Sequence, residues 1–240
     1  MNSVKSDFQK RKDEIEEYFS FVSVLTKDVR DSKLIYNSLS EEKSNDLIIS
    51  DQLQKILIAN GFLLLYNLIE ATIRNSICEI YFTVYNNDVD YKELSENLKN
   101  IWISQQSSNL KGNYKSETLH NTISTIANSI LNKEIIELDK EKLDFSGNLD
   151  AKKIRGLATK YGFIPTSING ENLLTIKNKR NHLAHGDFSF SEIGKDFSIG
   201  DLIIFKTETF LFLTDVVLQI ENFIRDRKFL YSMNNPLLEV

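Results

Sequence analysis

Four residues that can bind phosphate or move protons lie within six positions late in the chain. They are Arg180, Asn181, His182 and His185. Arginine presents a planar, permanently charged fork that matches phosphate oxygens, and histidine is the side chain best suited to proton transfer near neutral pH. An amide between them can orient a phosphate or hold the imidazole in place. This combination predicts a site that handles a phosphate group.

The segment that carries these residues has the pattern of an amphipathic helix. It begins near Asn169 and ends before Gly186, where a left-handed cap would terminate a helix. At about 100° per residue, Arg180 falls in line with Leu173 and Ile176, so a permanent cation lies on the stripe that should face the core. The alternative is an Arg whose charged end reaches past the core to solvent, together with a His that caps the helix.

A second misplaced charge lies more than a hundred residues upstream. In the segment from Asp51 to Asn86, Glu70 lies near the centre of an apolar face, because eight apolar residues fall within about 60° of it on the helical wheel. Thr72 and Glu79 lie on the opposite face, which is predicted to be solvated toward its C-terminal half. Since a buried, unpaired carboxylate costs several kcal/mol, we expect Glu70 to pair with Arg180. A purely structural buried salt bridge remains the alternative.

Composition favours an ordinary globular protein built from helices. The 240 residues are 41% hydrophobic and 26% charged, and two Pro and nine Gly are few for this length. The net charge of −5 is not that of a typical nucleic-acid-binding protein, so any RNA contact must come from a local basic patch. The single Cys78 excludes an intrachain disulfide and fits a reducing compartment.

Motif searches predict neither a cofactor nor a membrane segment. We find no Walker loop, no Gly-rich dinucleotide fingerprint and no Cys/His spacing typical of a metal site, so no cofactor and no metal is expected. The N-terminus has no apolar signal-peptide core. The most apolar run, Ile56 to Tyr66, is too short to span a bilayer. We therefore expect a cytoplasmic protein.

The periodicity predicts an all-α bundle in one domain covering residues 1–240. Residues 88–165 are predicted to form an inserted helical lobe between the two helices that carry Glu70 and Arg180. The segments from Ser38 to Asp51 and from Asp187 to Gly200 are predicted loops, and Ile135 to Phe145 a short strand or hairpin arm. The remaining predicted helices cover residues 4–30, Tyr91 to Ser104, Ser116 to Lys133, Asp150 to Tyr161, and Asp201 to Lys228.

Four cations near the motif are candidates for contacts with a phosphate backbone. They are Lys152, Arg155, Lys177 and Lys179. Together with Arg180 they belong to the densest positive region outside the N-terminal helix. The alternative is a solvated helix face. In the predicted loop that follows, Phe188 and Phe190 either stack on bases or anchor the loop to the core.

At these residues the chain resembles the HEPN superfamily, all-helical proteins many of which are ribonucleases. Arg180-Asn181-x-x-x-His185 matches the Arg-x4–6-His signature of that superfamily. Three further stretches look like one prokaryotic HEPN family found among toxin and defence genes: Gly147 to Arg155, Tyr161-Gly162-Phe163 and Phe188-Ser189-Phe190. The resemblance implies His185 as base or acid, Arg180 as phosphate clamp, Asn181 as an orienting residue, and Glu70 as the partner that aims Arg180.

The same resemblance implies a function and an assembly. The expected activity is a metal-independent endoribonuclease in which the ribose 2′-OH attacks the phosphate and leaves a 2′,3′-cyclic phosphate. One motif His per chain is a thin supply for two proton transfers, and HEPN nucleases meet this need as homodimers with two motifs in one cleft. His182 is a less favoured candidate for the second proton transfer. RNA is the expected substrate, and an antitoxin or defence-system subunit a possible partner. The alternatives are a non-catalytic module that binds RNA or a nucleotide, and a subunit whose role is complex formation.

Overall fold

Eight helices dominate the computed structural model, which describes residues 1–26, 33–36, 45–48, 50–110, 115–143, 145 and 147–231. The helices are α1 (Asn2–Thr26), α2 (Asp51–Asn86), α3 (Glu96–Gln106), α4 (Ser116–Leu131), α5 (Ala151–Tyr161), α6 (Glu171–His185), α7 (Phe190–Gly194) and α8 (Ile199–Arg225). Short 3₁₀ turns occur at Ser108–Leu110 and Lys140–Lys142. The all-α prediction is confirmed.

A small hairpin precedes α2. Strand β1 (Lys33–Tyr36) pairs antiparallel with β2 (Asn45–Ile48), with Leu34 opposite Leu47. The loop predicted for Ser38 to Asp51 is therefore wrong at residues 45–48, where the apolar pair Leu47-Ile48 interrupts the polar run. Residues 27–30 of the first predicted helix, and residues 38–44 and 49 of the predicted loop, lie outside the described residues.

Helix α2 is the centre of the bundle and packs against α1, α6, α7 and α8. Its bounds match the predicted segment, and Ser50 caps its N-terminus by accepting a hydrogen bond from the Leu53 amide. The helix is long and apolar enough to cross a membrane by composition alone, with a mean hydropathy of 1.7 over its most apolar stretch, but 56% of that stretch is buried inside the fold. A cytoplasmic location stays a prediction.

The face of α2 opposite Glu70 was predicted to be solvated, and this is wrong. Thr72 is buried, and Asn75 donates a hydrogen bond to Asp7 of α1 (3.0 Å). Glu79 pairs with the N-terminal amine of Met1. The reason is tertiary: α1 packs against α2, so Asn75 and Glu79 bind groups of the N-terminal segment instead of water, and the Thr72 hydroxyl is buried without a described partner.

Residues 88–165 contribute side chains to the same hydrophobic core as α2, among them Leu98, Trp102 and Leu157. The chain that follows α8 is also hydrogen-bonded to this segment. The Ser95 amide donates to the Phe229 carbonyl (2.9 Å), and the Tyr231 amide to Glu93 (2.7 Å). Instead of a strand, residues 135–145 form one isolated bridge, Ile135 to Asp90, and the 3₁₀ turn at Lys140–Lys142. The inserted lobe stays a prediction.

Helix α7 was predicted to be part of a loop, and a capping box makes it a helix. The Ser189 hydroxyl accepts from the Glu192 amide while the Glu192 carboxylate accepts from the Ser189 amide. This short helix docks on α2 so closely that a Cβ built on Gly194 would lie 1.9 Å from the Lys55 carbonyl oxygen. Only glycine fits at this position.

We expect Gly194→Ala to destabilise the protein by about 1–3 kcal/mol or more, because the backbone of α2 must move to make room. The matched control is Gly156→Ala on the exposed face of α5, where a Cβ would meet nothing within 4 Å. That change should stabilise by about 0.5–1 kcal/mol, since alanine restricts the unfolded chain. Thermal unfolding followed by circular dichroism measures both, and equal midpoints for the two variants would contradict the close docking.

Candidate functional site

Helix α6 presents the motif at one end of the bundle. Its side chains Leu173 and Ile176 are buried, and they fix which face of α6 meets the core. Arg180, one turn further along that stripe, has 24% of its side chain exposed. Gly186 ends the helix in the left-handed region with φ +72°. The charge of Arg180 therefore lies at the rim of the core and not inside it.

The guanidinium of Arg180 is held from four sides. Its Nη2 lies 3.4 Å from Glu70 Oε2, and its Nη1 donates to the Gly147 carbonyl (3.3 Å) and to Asn181 Oδ1 (3.0 Å). The plane of the group lies over the ring of Tyr66, 4.2 Å from the centroid. The predicted pairing of Glu70 with Arg180 is confirmed. These three hydrogen bonds use three of the five N–H donors of an arginine, so donors remain for a ligand.

Glu70 shares its charge between two arginines. Its Oε1 lies 3.6 Å from Arg74 Nη2, one turn along α2, and 25% of its side chain is exposed. The predicted central burial of this carboxylate is wrong, because α2 packs against several helices and Glu70 points to the seam with α6. Below it, burial raises the pKa of Tyr66, partly offset by the hydrogen bond that the Leu149 amide donates to the Tyr66 hydroxyl (3.0 Å). Tyr66 is thus a neutral platform.

A turn that sequence reasoning left without a site role completes the cluster. Gly147 has φ +66°, and a Cβ there would lie 3.5 Å from Arg180 Nη1. Its neighbour Asn148 accepts a hydrogen bond from Asn181 Nδ2 (2.9 Å). The sequence showed Gly147 only as the start of a stretch that resembles a HEPN family, and nothing in it indicated that this turn faces α6. Asn181 links Arg180 to the turn.

Two of the four predicted substrate-binding cations hold the chain itself together. Lys177 pairs with Asp150 (2.7 Å), which also caps α5 by accepting from the Lys153 amide. Burial would raise the pKa of Asp150, but the hydrogen bonds from Lys177 and from the Lys153 amide outweigh it and lower the pKa. Both side chains are mostly buried. Lys177 therefore has a structural partner, and its contact with phosphate stays a prediction.

Arg155 is structural in the same way. Its Nε donates to the Thr166 carbonyl (3.0 Å) and its Nη2 to the Ile168 carbonyl (2.7 Å), so it fixes the loop between α5 and α6. Lys179 lies over the Phe197 ring at 5.2 Å and is half-buried. Lys152 is exposed to solvent. Of the four candidates, Lys152 and Lys179 keep a charge that a phosphate could reach.

His185 is exposed in the last turn of α6, and among the described residues no side chain hydrogen-bonds to it. It follows Arg180 by five residues, so the two side chains point about 140° apart on the helix. His182 is placed differently, with Nδ1 3.0 Å from Asp187 and its ring edge-on to Phe188. Phe190 packs against the core while Phe188 stays 47% exposed. The structure thus gathers Glu70, Arg180 and Asn181 but leaves His185 apart.

The arrangement can bind an anion, and the exposed imidazole of His185 lies on the same helix. Arginine donors at the rim, together with Lys179 and Lys152, suit a phosphate group. Within the described part of the chain, no group of three or more His, Cys, Asp or Glu side chains is placed to hold a metal ion.

Comparison with known proteins identifies the family. The family model described as HEPN_MAE_28990-like HEPN matches residues 2–229, almost the whole chain. Comparisons with curated proteins and with solved structures returned no significant match. The match extends over every helix of the bundle, including α2 and α6, which carry the candidate site. The resemblance to the HEPN superfamily is confirmed, and the chain belongs to the HEPN_MAE_28990-like family of the all-helical HEPN superfamily.

Proposed function

We propose that this protein is a metal-independent endoribonuclease that acts as a toxin or defence effector. Membership of the HEPN superfamily is compatible with a ribonuclease or a nucleotide-binding module. The observation that carries the finer proposal is the Arg180 cluster: a permanently charged fork at the rim of the core, aimed by Glu70, Gly147 and Asn181, on the same helix as an exposed His185.

The chemistry needs three roles. A base removes the proton of the ribose 2′-OH, O2′ attacks the phosphorus, and the bond to the 5′-oxygen breaks as that oxygen takes a proton from an acid. The products are a 2′,3′-cyclic phosphate and a 5′-hydroxyl. His185 serves as base or acid, and Arg180 stabilises the extra negative charge of the phosphorane. Asn181 orients the scissile phosphate, and Glu70 positions Arg180 without touching the substrate.

We further propose that the protein works as a two-fold dimer. Because Arg180 and His185 point about 140° apart on α6, one chain does not bring them to a single phosphate by side-chain rotation alone. A second copy can supply the missing imidazole. Symmetric dimers are the commonest oligomers.

The outer face of α8 supports a second copy as its occupant. Seven residues between positions 200 and 218 are exposed on this face, and none is charged. They are Gly200, Ile203, Ile204, Thr207, Leu211, Thr214 and Leu218. Ile204, Leu211 and Leu218 recur every seven residues with exposures of 60%, 58% and 46%, and Thr207 and Thr214 lie between them. This is the seam spacing of a two-helix interface.

Charge favours a parallel pairing of the two α8 helices. In an antiparallel pair centred on Leu211, Glu208 of one copy would lie beside Asp215 of the other, and like charges repel. A parallel pair places each of these acids beside an apolar position instead. Helix α6 runs antiparallel to α8, since the Asn172 amide donates to Glu208 (2.9 Å) and Lys179 lies over Phe197. A parallel pair therefore brings both His185 residues to the same end of the dimer.

A non-catalytic module that binds RNA or a nucleotide is the second candidate. It is favoured by one observation, that His185 makes no hydrogen bond to the Arg180 cluster within the described chain. An antitoxin or defence-system partner fits either candidate, and rests on the resemblance to families found among toxin and defence genes.

Replacing the two motif residues distinguishes the candidates. His185→Ala should lower cleavage of RNA by about 10²- to 10⁴-fold, and Arg180→Ala by about 10²- to 10³-fold. Arg180→Lys should rescue poorly, because a point charge does not replace the fork. The assay uses total tRNA with EDTA and maps the product ends, and DNA should resist because it lacks the 2′-OH. The matched control for His185 is His120→Ala on the exposed face of α4. Wild-type cleavage by the His185 variant would leave the binding module as the function.

Glu70→Gln tests whether Glu70 positions Arg180 or only stabilises the fold. The pair is a quarter exposed, so its loss should cost about 1 kcal/mol or less in unfolding free energy. A misaimed guanidinium should nevertheless lower cleavage by about 10²-fold. The control is Glu221→Gln, which removes a surface ion pair with Lys5. If both variants cleave RNA equally well, Glu70 has no role in the site.

Leu211→Glu tests the dimer and its interface. A charge in the middle of the α8 seam should convert the dimer to a monomer and abolish cleavage, while the fold is retained because residue 211 is exposed. Light scattering at micromolar concentration measures the assembly. The control is Leu131→Glu at a leucine of α4 that is 78% exposed. A wild-type protein that is monomeric and active would refute the composite site, and an active dimer of the Leu211 variant would refute this interface.

A further inference from the structure

A second concave site lies beside the C-terminal half of α2. It is a cavity of about 620 Å³ between that helix and the segment from Glu137 to Lys142. This volume is in the range of small-molecule sites, which run from about 300 to 1,000 Å³. None of the residues of the Arg180 cluster lines it.

Aromatic side chains without a described partner form one wall of the cavity. Phe82 is 61% exposed and Tyr85 is 51% exposed, although both belong to the central helix of the bundle. Exposed rings of this size on a helix that is otherwise buried indicate a surface that binds something flat and partly apolar. Tyr81 lies behind them, with its hydroxyl 2.6 Å from that of Tyr161. Burial raises the pKa of Tyr81 to about 12, so this inner wall is uncharged.

The polar groups of the cavity are few and of both signs. Lys142 donates to the Gln105 carbonyl (3.0 Å), and Asp139 caps the 3₁₀ turn by accepting from the Glu141 amide. Glu137 and Lys140 are exposed, and no ion pair to either is present among the described residues. One free carboxylate and one free ammonium beside two rings match a group that offers N–H donors, a flat face and a phosphate.

A stripe of α2 joins the cavity to the Arg180 cluster. Glu70, Arg74, Cys78 and Phe82 follow at four-residue spacing, so they lie along one side of the helix. Arg74 lies between the two sites, 43% exposed, with its guanidinium 5.9 Å from the centre of the Phe145 ring. Phe82 is twelve residues from Glu70, about 18 Å along the helix axis. That distance corresponds to about five stacked nucleotides of one strand.

We propose that this cavity binds an unpaired nucleobase of an RNA strand whose scissile phosphate lies at Arg180. The base stacks on Phe82 and Tyr85, Glu137 accepts from its N–H groups, and Lys140 and Arg74 contact the phosphates of the connecting nucleotides. Stacking on aromatic side chains and phosphate contacts by cations are the general means by which proteins hold single strands. The orientation of the strand rests on the proposed ribonuclease function, whereas binding at the cavity does not.

The test measures binding separately from cleavage. A labelled 2′-O-methyl oligoribonucleotide of about twelve nucleotides binds without being cleaved, since its 2′ oxygens are blocked. By fluorescence anisotropy, Phe82→Leu and Tyr85→Leu should each weaken binding to the full-length protein about tenfold, and Phe82→Trp should restore it because the stacking surface returns. The control is Phe21→Leu, which removes an equally exposed ring on α1.

A second measurement uses substrate length. Cleavage of a dinucleotide should be the same in wild type and in Phe82→Leu, because a dinucleotide at Arg180 does not reach the cavity. For cleavage of the longer, unmodified strand, Phe82→Leu should have a higher KM than wild type. One outcome is that wild type and all variants cleave no RNA while Phe82→Leu still weakens binding of the oligonucleotide. In that case the ribonuclease proposal fails and the cavity proposal stands. Equal affinity of wild type and Phe82→Leu for the oligonucleotide would overturn the cavity proposal.

Discussion

The contact between Glu70 and Arg180 joins the two helices on which the site depends. Both side chains are about a quarter exposed, so their attraction is screened by water and contributes little to stability. The contact instead orients the guanidinium of Arg180. The carboxylate, the Gly147 carbonyl and the Asn181 amide each take a donor of the guanidinium, while the Tyr66 ring supports its face. A fully buried pair would leave Arg180 unable to meet a substrate, and a fully exposed one would leave it unaimed. The rim of the core satisfies both needs.

Periodicity in the sequence predicted this pair because each charge interrupts an apolar stripe. The bounds of α2 and the place of Arg180 beside Leu173 and Ile176 follow from the same pattern. The degree of burial of Glu70 did not follow from this pattern. Helix α2 is apolar on several sides, and a helical wheel does not show which side packs against which neighbouring helix. The opposite error occurred at Thr72. Its polar side chain predicted exposure to solvent, but it is buried in a helix that packs against α1.

The cations show a second limit of sequence reasoning. Lys152, Arg155, Lys177 and Lys179 look equivalent as a basic cluster, but Arg155 serves two loop carbonyls and Lys177 serves Asp150. Whether a cation is free depends on acceptors that reach it through the fold, and those acceptors come from loops without any periodicity. The Gly147-Asn148 turn escaped a site assignment for the same reason. Loop backbone supplies hydrogen bonds that no side-chain pattern records.

The separation of Arg180 from His185 constrains any catalytic account of this chain. On one helix the two diverge, with Arg180 facing α2 and His185 facing solvent. A phosphate held by Arg180 must therefore meet an imidazole that approaches from outside the chain's own core. An uncharged outer face on α8, antiparallel to α6, gives a second copy a place to bind that leaves the end of α6 open. A binding module would need only the guanidinium and its supports, and His185 would then only cap the C-terminal end of α6. The assignment therefore depends on what approaches His185.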